Sequence, residues 1–134
     1  MKYMVLIYSN PESRKAWEAF APAERSAGLA SYAGLHADLV ASGELLASEA
    51  LTAPERGRRV SVPGGRKPTT DGPFAESKEH LAGFFLLECT SMERAMEIAV
   101  FIPEADLGLV EVRPVEDLAN LPQCWASSDL SKSA

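Results

Sequence analysis

The sequence predicts a single domain of the α+β class. Three observations predict it: short apolar segments typical of strands, two segments with helical periodicity, and a length of 134 residues, which is enough for one core but not for two. Apolar residues make up 46% of the chain and charged residues 24%, an ordinary balance for a folded protein. We therefore expect one core that forms without help from a metal or a disulfide.

The first predicted element is a strand at residues 3–8. Every residue of this run, Tyr3-Met4-Val5-Leu6-Ile7-Tyr8, has a large side chain that is wholly or mostly apolar. Such a run is typical of a strand buried on both faces. Ser9-Asn10-Pro11 ends the strand because these residue types favour turns. We expect a loop to follow, and it carries Trp17 and Phe20.

A helix is predicted at about residues 23–42. Pro22 suits the first turn of this helix, and Gly43 gives it a C-terminal stop. The apolar stripe of the helix, which we expect to face the core, consists of Leu29, Ala33, Leu39 and Val40.

The middle of the chain predicts an enlarged hairpin region. Strands are expected at residues 45–51 and 58–62, separated by a turn-forming segment, and they should pair with each other. A long excursion follows, bracketed by Pro63-Gly64-Gly65 and Asp71-Gly72-Pro73. Residues 81–87 then predict a further strand that is apolar on both faces.

The last part of the domain completes the predicted order of elements. Residues 92–100 predict a second helix capped by Ser91, and residues 109–113 predict the last strand. The core order is β-α-β-β-α-β with an enlarged β-β region, which is the ferredoxin-like arrangement. We assign residues 1–116 to this domain and residues 117–134 to a C-terminal tail.

The predicted sheet has more apolar surface than its helices can cover. In a ferredoxin-like domain both helices lie on one face of the sheet. The strands at residues 3–8 and 81–87 nevertheless place large apolar groups on both faces. A second subunit that lays its own sheet on the bare face is the simplest cover, so we expect a homodimer.

Charge and composition exclude several classes of partner. The formal charge of −6 repels nucleic-acid phosphates, so we expect no direct nucleic-acid binding. No apolar run approaches the length of a membrane span or of a signal-peptide core, and we expect a cytoplasmic protein without membrane attachment. Cys89 and Cys124 have no metal-ligand spacing, and the sequence contains no nucleotide-binding motif or nucleophile elbow. We therefore expect no metal and no cofactor.

The most informative segment for function runs from Thr69 to Glu79. It places the carboxylate of Asp71 and the ring of Phe74 beside the fixed turn at Gly72-Pro73. Two interpretations stay open: Asp71 is a structural turn cap, or it is an acid/base group in a pocket.

At these residues the chain resembles the YCII-related proteins, and among them the branch named for its D-G-P-F motif. The resemblance is carried by Lys2-Tyr3-Met4 and Leu6-Ile7-Tyr8, by Thr70–Glu76 with Lys78-Glu79, and by Val110–Val115. It implies a ferredoxin-like subunit that forms a dimeric α+β barrel. It also implies kinship with small enzymes that resemble muconolactone isomerases and related lyases, and, for this branch, a functional link to an extracytoplasmic-function sigma factor.

The resemblance also guides the candidate site. A His-Asp pair is proposed as the active site in some members of the family. In this sequence the position of the helix histidine corresponds to about Tyr32, and His36 lies one turn further along the helix. His36 also falls on the apolar stripe, so a half-buried packing residue is the favoured interpretation, with a site residue as the alternative.

Two candidate cations could hold an anionic substrate, namely Lys78 and Arg113. Glu111 and Arg113 lie two residues apart on one face of the last strand, where they either pair with each other, which we favour, or bind a substrate carboxylate. His80, at the mouth of a strand, is interpreted as a solvent-side residue.

Two functions remain as hypotheses. The first is a small cofactor-independent lyase or isomerase that acts on a small, anionic organic molecule, with Asp71 as general acid/base in a pocket walled by Tyr32, Phe74 and the second subunit. The second is a regulatory module that binds a small molecule without chemistry and is linked to sigma-factor-dependent transcription.

Overall fold

The sheet and its helices follow the predicted ferredoxin-like order. The computed structural model describes residues 1–64 and 78–120. Within them the strands are β1 (Lys2–Ser9), β2 (Leu45–Ala50), β3 (His80–Glu88) and β4 (Val110–Pro114), and the helices are α1 (Pro11–Ala19), α2 (Pro22–Ser42) and α3 (Met92–Ala99). The strand order is β2-β3-β1-β4 and neighbouring strands are antiparallel, which confirms the predicted α+β class and topology.

The two central strands, β1 and β3, carry apolar residues on both of their faces. On the face under the helices, Val5 and Leu87 are fully buried. On the other face, which we call the open face, half-buried side chains form an apolar floor that consists of Met4, Leu6, Phe84 and Leu86. The prediction that both strands are apolar on both faces is confirmed.

Residues at the ends of the helices, or next to them, fix where the helices begin and end. Pro22 stands at the first position of α2, and Gly43 ends the helix in the left-handed conformation with φ 79°. Ser91 accepts a hydrogen bond from the Arg94 backbone N–H at 3.1 Å and so caps α3. The predicted boundaries of both helices are confirmed to within about two residues.

The predicted apolar stripe of α2 is wrong in phase. Leu29 and Val40 are 59% and 58% exposed, and the helix packs on the core through Leu35 and Leu39. His36 is also exposed, so the expectation that it packs is wrong. The physical reason is that small and apolar residues surround most of the helix, and periodicity alone could not select the side that contacts the sheet.

Residues 58–62 do not form the predicted strand. They follow a short 3-10 turn at Pro54–Arg56, and Val60 is 94% exposed. β3 takes the place beside β2, with Ala50 opposite Gly83, because the apolar faces of β3 bury far more surface than residues 58–62 can. The two strands of the hairpin are therefore joined by the long connection 51–79, which confirms its enlargement.

The expected loop after β1 is a helix instead. α1 begins with a capping box in which Ser13 N–H donates to the Asn10 side chain at 2.7 Å and Asn10 N–H donates to Ser13 Oγ at 2.9 Å. Pro11 at the first helical position completes the start signal. The sequence carries these signals, but Asn10-Pro11 by itself favours a turn as much as a helix start.

None of the helices in the described ranges 1–64 and 78–120 has the length and apolar character to cross a bilayer.

Candidate functional site

The structure places the predicted site residues on separate surfaces. Arg113 pairs with Met4 across β4 and β1, so its side chain lies on the open face of the sheet. Tyr32 lies on the opposite side, between α2 and the sheet, and contacts the core. His36 points to solvent from α2, and Lys78 is exposed just before β3. Within one subunit, therefore, Tyr32 and Arg113 do not converge.

Two predicted site residues cannot be placed. Asp71 and Phe74, which the sequence put in a pocket with Tyr32, lie outside the described residues. Their assignment stays a prediction.

A polar cluster lies on the open face beside the apolar floor. The Tyr8 hydroxyl donates a hydrogen bond of 2.9 Å to Glu111 Oε1. Arg113 follows Glu111 on the same face, since alternate residues of a strand share a face. We call Tyr8, Glu111 and Arg113 the open-face cluster. Sequence reasoning named Glu111 and Arg113 but missed Tyr8.

The predicted ion pair between Glu111 and Arg113 is wrong. Among the ion pairs of the described residues this one is absent, and Glu111 instead accepts the hydroxyl of Tyr8. The physical reason is that Glu111 lies opposite Leu6 on β1, which brings the long side chain of Tyr8, two residues further, within its reach. Among the described residues, none therefore pairs with the guanidinium of Arg113 on the open face.

A local irregularity of the sheet adjoins Tyr8. The pairing of β1 with β3 shifts register between Ile7 and Tyr8, so that Ile7 lies opposite Gly83 and Tyr8 opposite Leu81. A bulge of this kind bends the strand and redirects side chains, and bulges are common beside functional sites.

The protonation state of Tyr8 follows from its surroundings. Burial raises the pKa of its phenol, and the hydrogen bond to the Glu111 carboxylate and the charge of that carboxylate raise it further. The positive charge of Arg113 opposes the rise in pKa. Tyr8 is therefore a neutral hydrogen-bond donor throughout the physiological pH range, and the Glu111 carboxylate is the acceptor.

A second tyrosine-glutamate contact lies on the helix side of the sheet. The hydroxyl of Tyr32 donates to the carboxylate of Glu104, which belongs to the 3-10 turn Pro103–Leu107. Burial raises the pKa of the Tyr32 phenol, and Glu104 adds to the rise through its hydrogen bond and its charge. The contact ties α2 to the segment that enters β4. Sequence reasoning named Tyr32 but gave no signal for Glu104.

We expect Tyr32→Phe to lower the free energy of unfolding by about 1–2 kcal/mol at neutral pH, because the Glu104 carboxylate loses its donor. The raised pKa of Tyr32 means that this contribution is fully present below about pH 10, the ordinary phenol value, and is lost as the pH rises above it. Urea unfolding of the wild type and the variant at pH 8 and pH 10.5 measures both effects. The gap between the two proteins should narrow at the higher pH.

A double-mutant cycle serves as the control. Tyr32→Phe combined with Glu104→Ala should cost little more than either change alone, because both remove one contact. Fully additive losses would contradict the coupling of these two residues.

The remaining candidates carry no site chemistry in the structure. Cys89 is a buried free thiol. No cluster of His, Cys, Asp and Glu that could hold a metal occurs among residues 1–64 and 78–120.

Three comparisons with known proteins complete this description. The family model of the YCII-related domain matches residues 1–119 of the chain. An uncharacterised protein of Rhizobium meliloti (strain 1021) is 30% identical over 117 residues, which are 86% of this chain and 92% of the relative. Among solved structures, the chain is similar to the 5-chloro-2-hydroxyhydroquinone dehydrochlorinase of Burkholderia phenoliruptrix AC1100, solved with 2,5-dihydroxybenzoquinone, at 15% identity and a TM-score of 0.43 over 87% of this chain and 94% of that one. Because the family model matches nearly the whole described chain, the chain belongs to the YCII-related family.

Proposed function

We propose that this protein binds a small organic anion on the open face of its sheet and converts it by proton transfer, as a cofactor-independent lyase or isomerase. The observation that carries the proposal is the Tyr8–Glu111 hydrogen bond of 2.9 Å beside Arg113. A neutral donor, a carboxylate and a guanidinium are thereby gathered at the edge of an apolar floor.

Arg113 is the anion-binding group of this proposal. A guanidinium binds a carboxylate or an enolate through two parallel charge-assisted hydrogen bonds, and these are about twice as strong as neutral ones. The apolar floor accepts the carbon skeleton of the substrate and excludes water from one side of it. This arrangement favours a ligand with one acidic end and one apolar body.

Tyr8 and Glu111 supply the proton chemistry. The Glu111 carboxylate takes a proton from a substrate carbon next to a carbonyl group. As it does so, the single proton of the Tyr8 hydroxyl turns from Glu111 to the substrate oxygen on which negative charge develops. In an isomerase the proton returns to another carbon, and in a lyase the electron pair expels a leaving group. Neither step needs an electron acceptor.

Asp71 remains the alternative acid/base group in this proposal. The sequence assigns it that role beside a rigid turn, and it lies outside the described residues. Substitutions at Asp71 and Glu111 compared in one turnover assay separate the two assignments, since only the residue that moves the proton should abolish turnover when replaced by its amide.

A second copy of the chain belongs to this proposal as the cover of the apolar floor. The floor lies at the centre of a sheet face on which no described helix packs. Two such faces that pack on each other would enclose the open-face clusters of both subunits and lower the local dielectric around them.

We expect a homodimer in analytical ultracentrifugation at micromolar concentration, and Phe84→Glu should shift it toward the 14.4 kDa monomer because a carboxylate would be buried in the interface. Val60→Glu is the matched control, since Val60 is 94% exposed and its replacement should leave the dimer intact. A wild-type protein that sediments as a monomer would contradict the second copy.

The functional test begins with a thermal-shift screen of small organic acids, followed by a turnover assay on each hit. We expect Arg113→Gln to weaken binding about tenfold, because a charge-assisted hydrogen bond is worth about 1.5 kcal/mol. Arg58→Gln is the control, because Arg58 is an exposed arginine in the connection between β2 and β3. This variant should bind as the wild type does.

Two outcomes would overturn parts of the proposal. Equal binding by Arg113→Gln and the wild type would remove the anion site from the open face. Stabilisation by a ligand without any product would exclude the enzyme and favour the regulatory module.

A further inference from the structure

A cleft of about 380 Å³ lies between α2 and α3, on the helix side of the sheet and away from the open face. Its floor consists of buried apolar side chains, of which Leu39 and Ile98 are 2% and 3% exposed. Gly34 leaves room in its wall, since a Cβ added there would meet no heavy atom within 4 Å. The volume falls within the range of small-molecule sites.

The polar groups of the cleft are unevenly partnered. Arg94 donates to both carboxylate oxygens of Glu44 at 2.9 Å and to Glu97 at 3.3 Å, so its positive charge is balanced by two carboxylates. Asp38 also lines the cleft, but it makes no hydrogen bond or ion pair with any residue in the described ranges. Among the described residues around the cleft there are thus three carboxylates for one guanidinium, and Asp38 is the carboxylate that no described residue pairs with.

The hydroxyl groups in the wall add further hydrogen-bond acceptors to the carboxylates of the cleft. Ser31 Oγ donates to the Ala27 carbonyl at 3.2 Å. Ser42 Oγ lies 3.2 Å from the Leu39 carbonyl and 2.8 Å from Glu44 Oε1, and its proton is taken by one of these two acceptors. A serine hydroxyl has one proton, so both oxygens offer the cleft only their lone pairs. The wall therefore presents acceptors and negative charge to a ligand.

We propose that this cleft binds a primary amine carried on an apolar body. The ammonium group would donate to Asp38, and the apolar body would lie on Leu39 and Ile98. Phe101 at the rim is 70% exposed and can place its ring against the cation. An anionic ligand is disfavoured because Asp38 would repel it and Arg94 is already balanced.

Phenethylamine is the probe. Its matched control is 2-phenylethanol, which has the same phenethyl group with a neutral hydroxyl in place of the ammonium. In a titration followed by amide NMR we expect phenethylamine to shift the signals of α2 and α3, and 2-phenylethanol to bind at least about tenfold more weakly. The affinity for phenethylamine should fall as salt is added. Equal binding of the two compounds, or shifts confined to other elements, would overturn the proposal.

Two variants locate the cation. Asp38→Asn keeps the shape of the side chain and should weaken phenethylamine binding about tenfold, while Asp106→Asn, an exposed aspartate outside the cleft, should leave it unchanged. Gly34→Leu should fill the cleft and abolish binding of the probe. Leucine is a good helix former and Gly34 has open space beside it, so the variant should fold, which thermal unfolding verifies. Undiminished binding by Asp38→Asn would contradict the proposal whatever Gly34→Leu does.

A lysine side chain of another protein carries the same chemistry as a free amine. Nα-acetyl-lysinamide separates the two sources, because its backbone amides add no apolar surface for the floor of the cleft. We expect it to bind more weakly than phenethylamine. If Nα-acetyl-lysinamide bound more tightly than phenethylamine, the proposal of a free amine would be wrong and the cleft would be assigned to a lysine of a protein partner.

Discussion

Leu87→Ala should lower the free energy of unfolding by about 2–5 kcal/mol, which is a large part of the stability of a single domain. Leu87 is 0% exposed and lies on β3, one of the two central strands of the sheet, opposite Tyr3 of β1 and Leu45 of β2. Truncation removes buried methyl groups and leaves a cavity that the rigid pairing on both sides cannot close. Urea unfolding followed by circular dichroism measures the loss.

Leu118→Ala is the control for this prediction. Leu118 is 82% exposed in a 3-10 turn, so its truncation should change the free energy of unfolding by less than about 0.5 kcal/mol. A cost of less than 1 kcal/mol for Leu87→Ala with an unchanged denaturant slope would show that the centre of the sheet is not the core.

Gly83→Ala should destabilise the protein by about 1–3 kcal/mol, although alanine normally suits a strand better than glycine. A Cβ on Gly83 would lie 2.8 Å from the carbonyl oxygen of Glu49 and 3.4 Å from the Cα of Ala50. Both obstacles are backbone atoms of β2, so the strand itself must move. Compared with the wild type, the variant should therefore show a larger increase in amide hydrogen exchange in β2 than in β4. Denaturant unfolding should show the loss of stability.

The same substitution at Gly34 has the opposite expected sign. Gly34 lies inside α2 with nothing near its absent side chain, so Gly34→Ala should stabilise the protein by about 0.5–1 kcal/mol. Equal effects of the two Gly→Ala changes would contradict the close approach of β2 and β3 at Gly83.

Elements with strong local signals could be predicted from the sequence. The signals for β1, β3 and α2 are local in sequence: an apolar run for each strand, and a start and a stop residue for the helix. The structure has these elements where they were expected. The error at residues 58–62 has a different origin. Their composition favours a strand, but a strand needs a partner, and the competition between two candidates for the edge of β2 is a matter of long-range packing.

The candidate site could be predicted from the sequence only in part, for the same reason. The period of two along a strand placed Glu111 and Arg113 on one face correctly. The contact of Glu111 with Tyr8 joins residues 103 apart in sequence, and the contact of Tyr32 with Glu104 joins residues 72 apart. Such contacts depend on the register of the sheet, which no local pattern determines.

The position of β1 has a consequence for how the chain is made. β1 is synthesised before both of its neighbours in the sheet, β3 and β4, from which it is separated by a long stretch of chain. At about 5–20 residues per second, β1 waits several seconds before β3 emerges. During that time both apolar faces of β1 are uncovered, and binding by a chaperone or by another nascent chain competes with the later pairing. The same long separations give the sheet a high contact order, so the chain should fold in milliseconds to seconds rather than in microseconds.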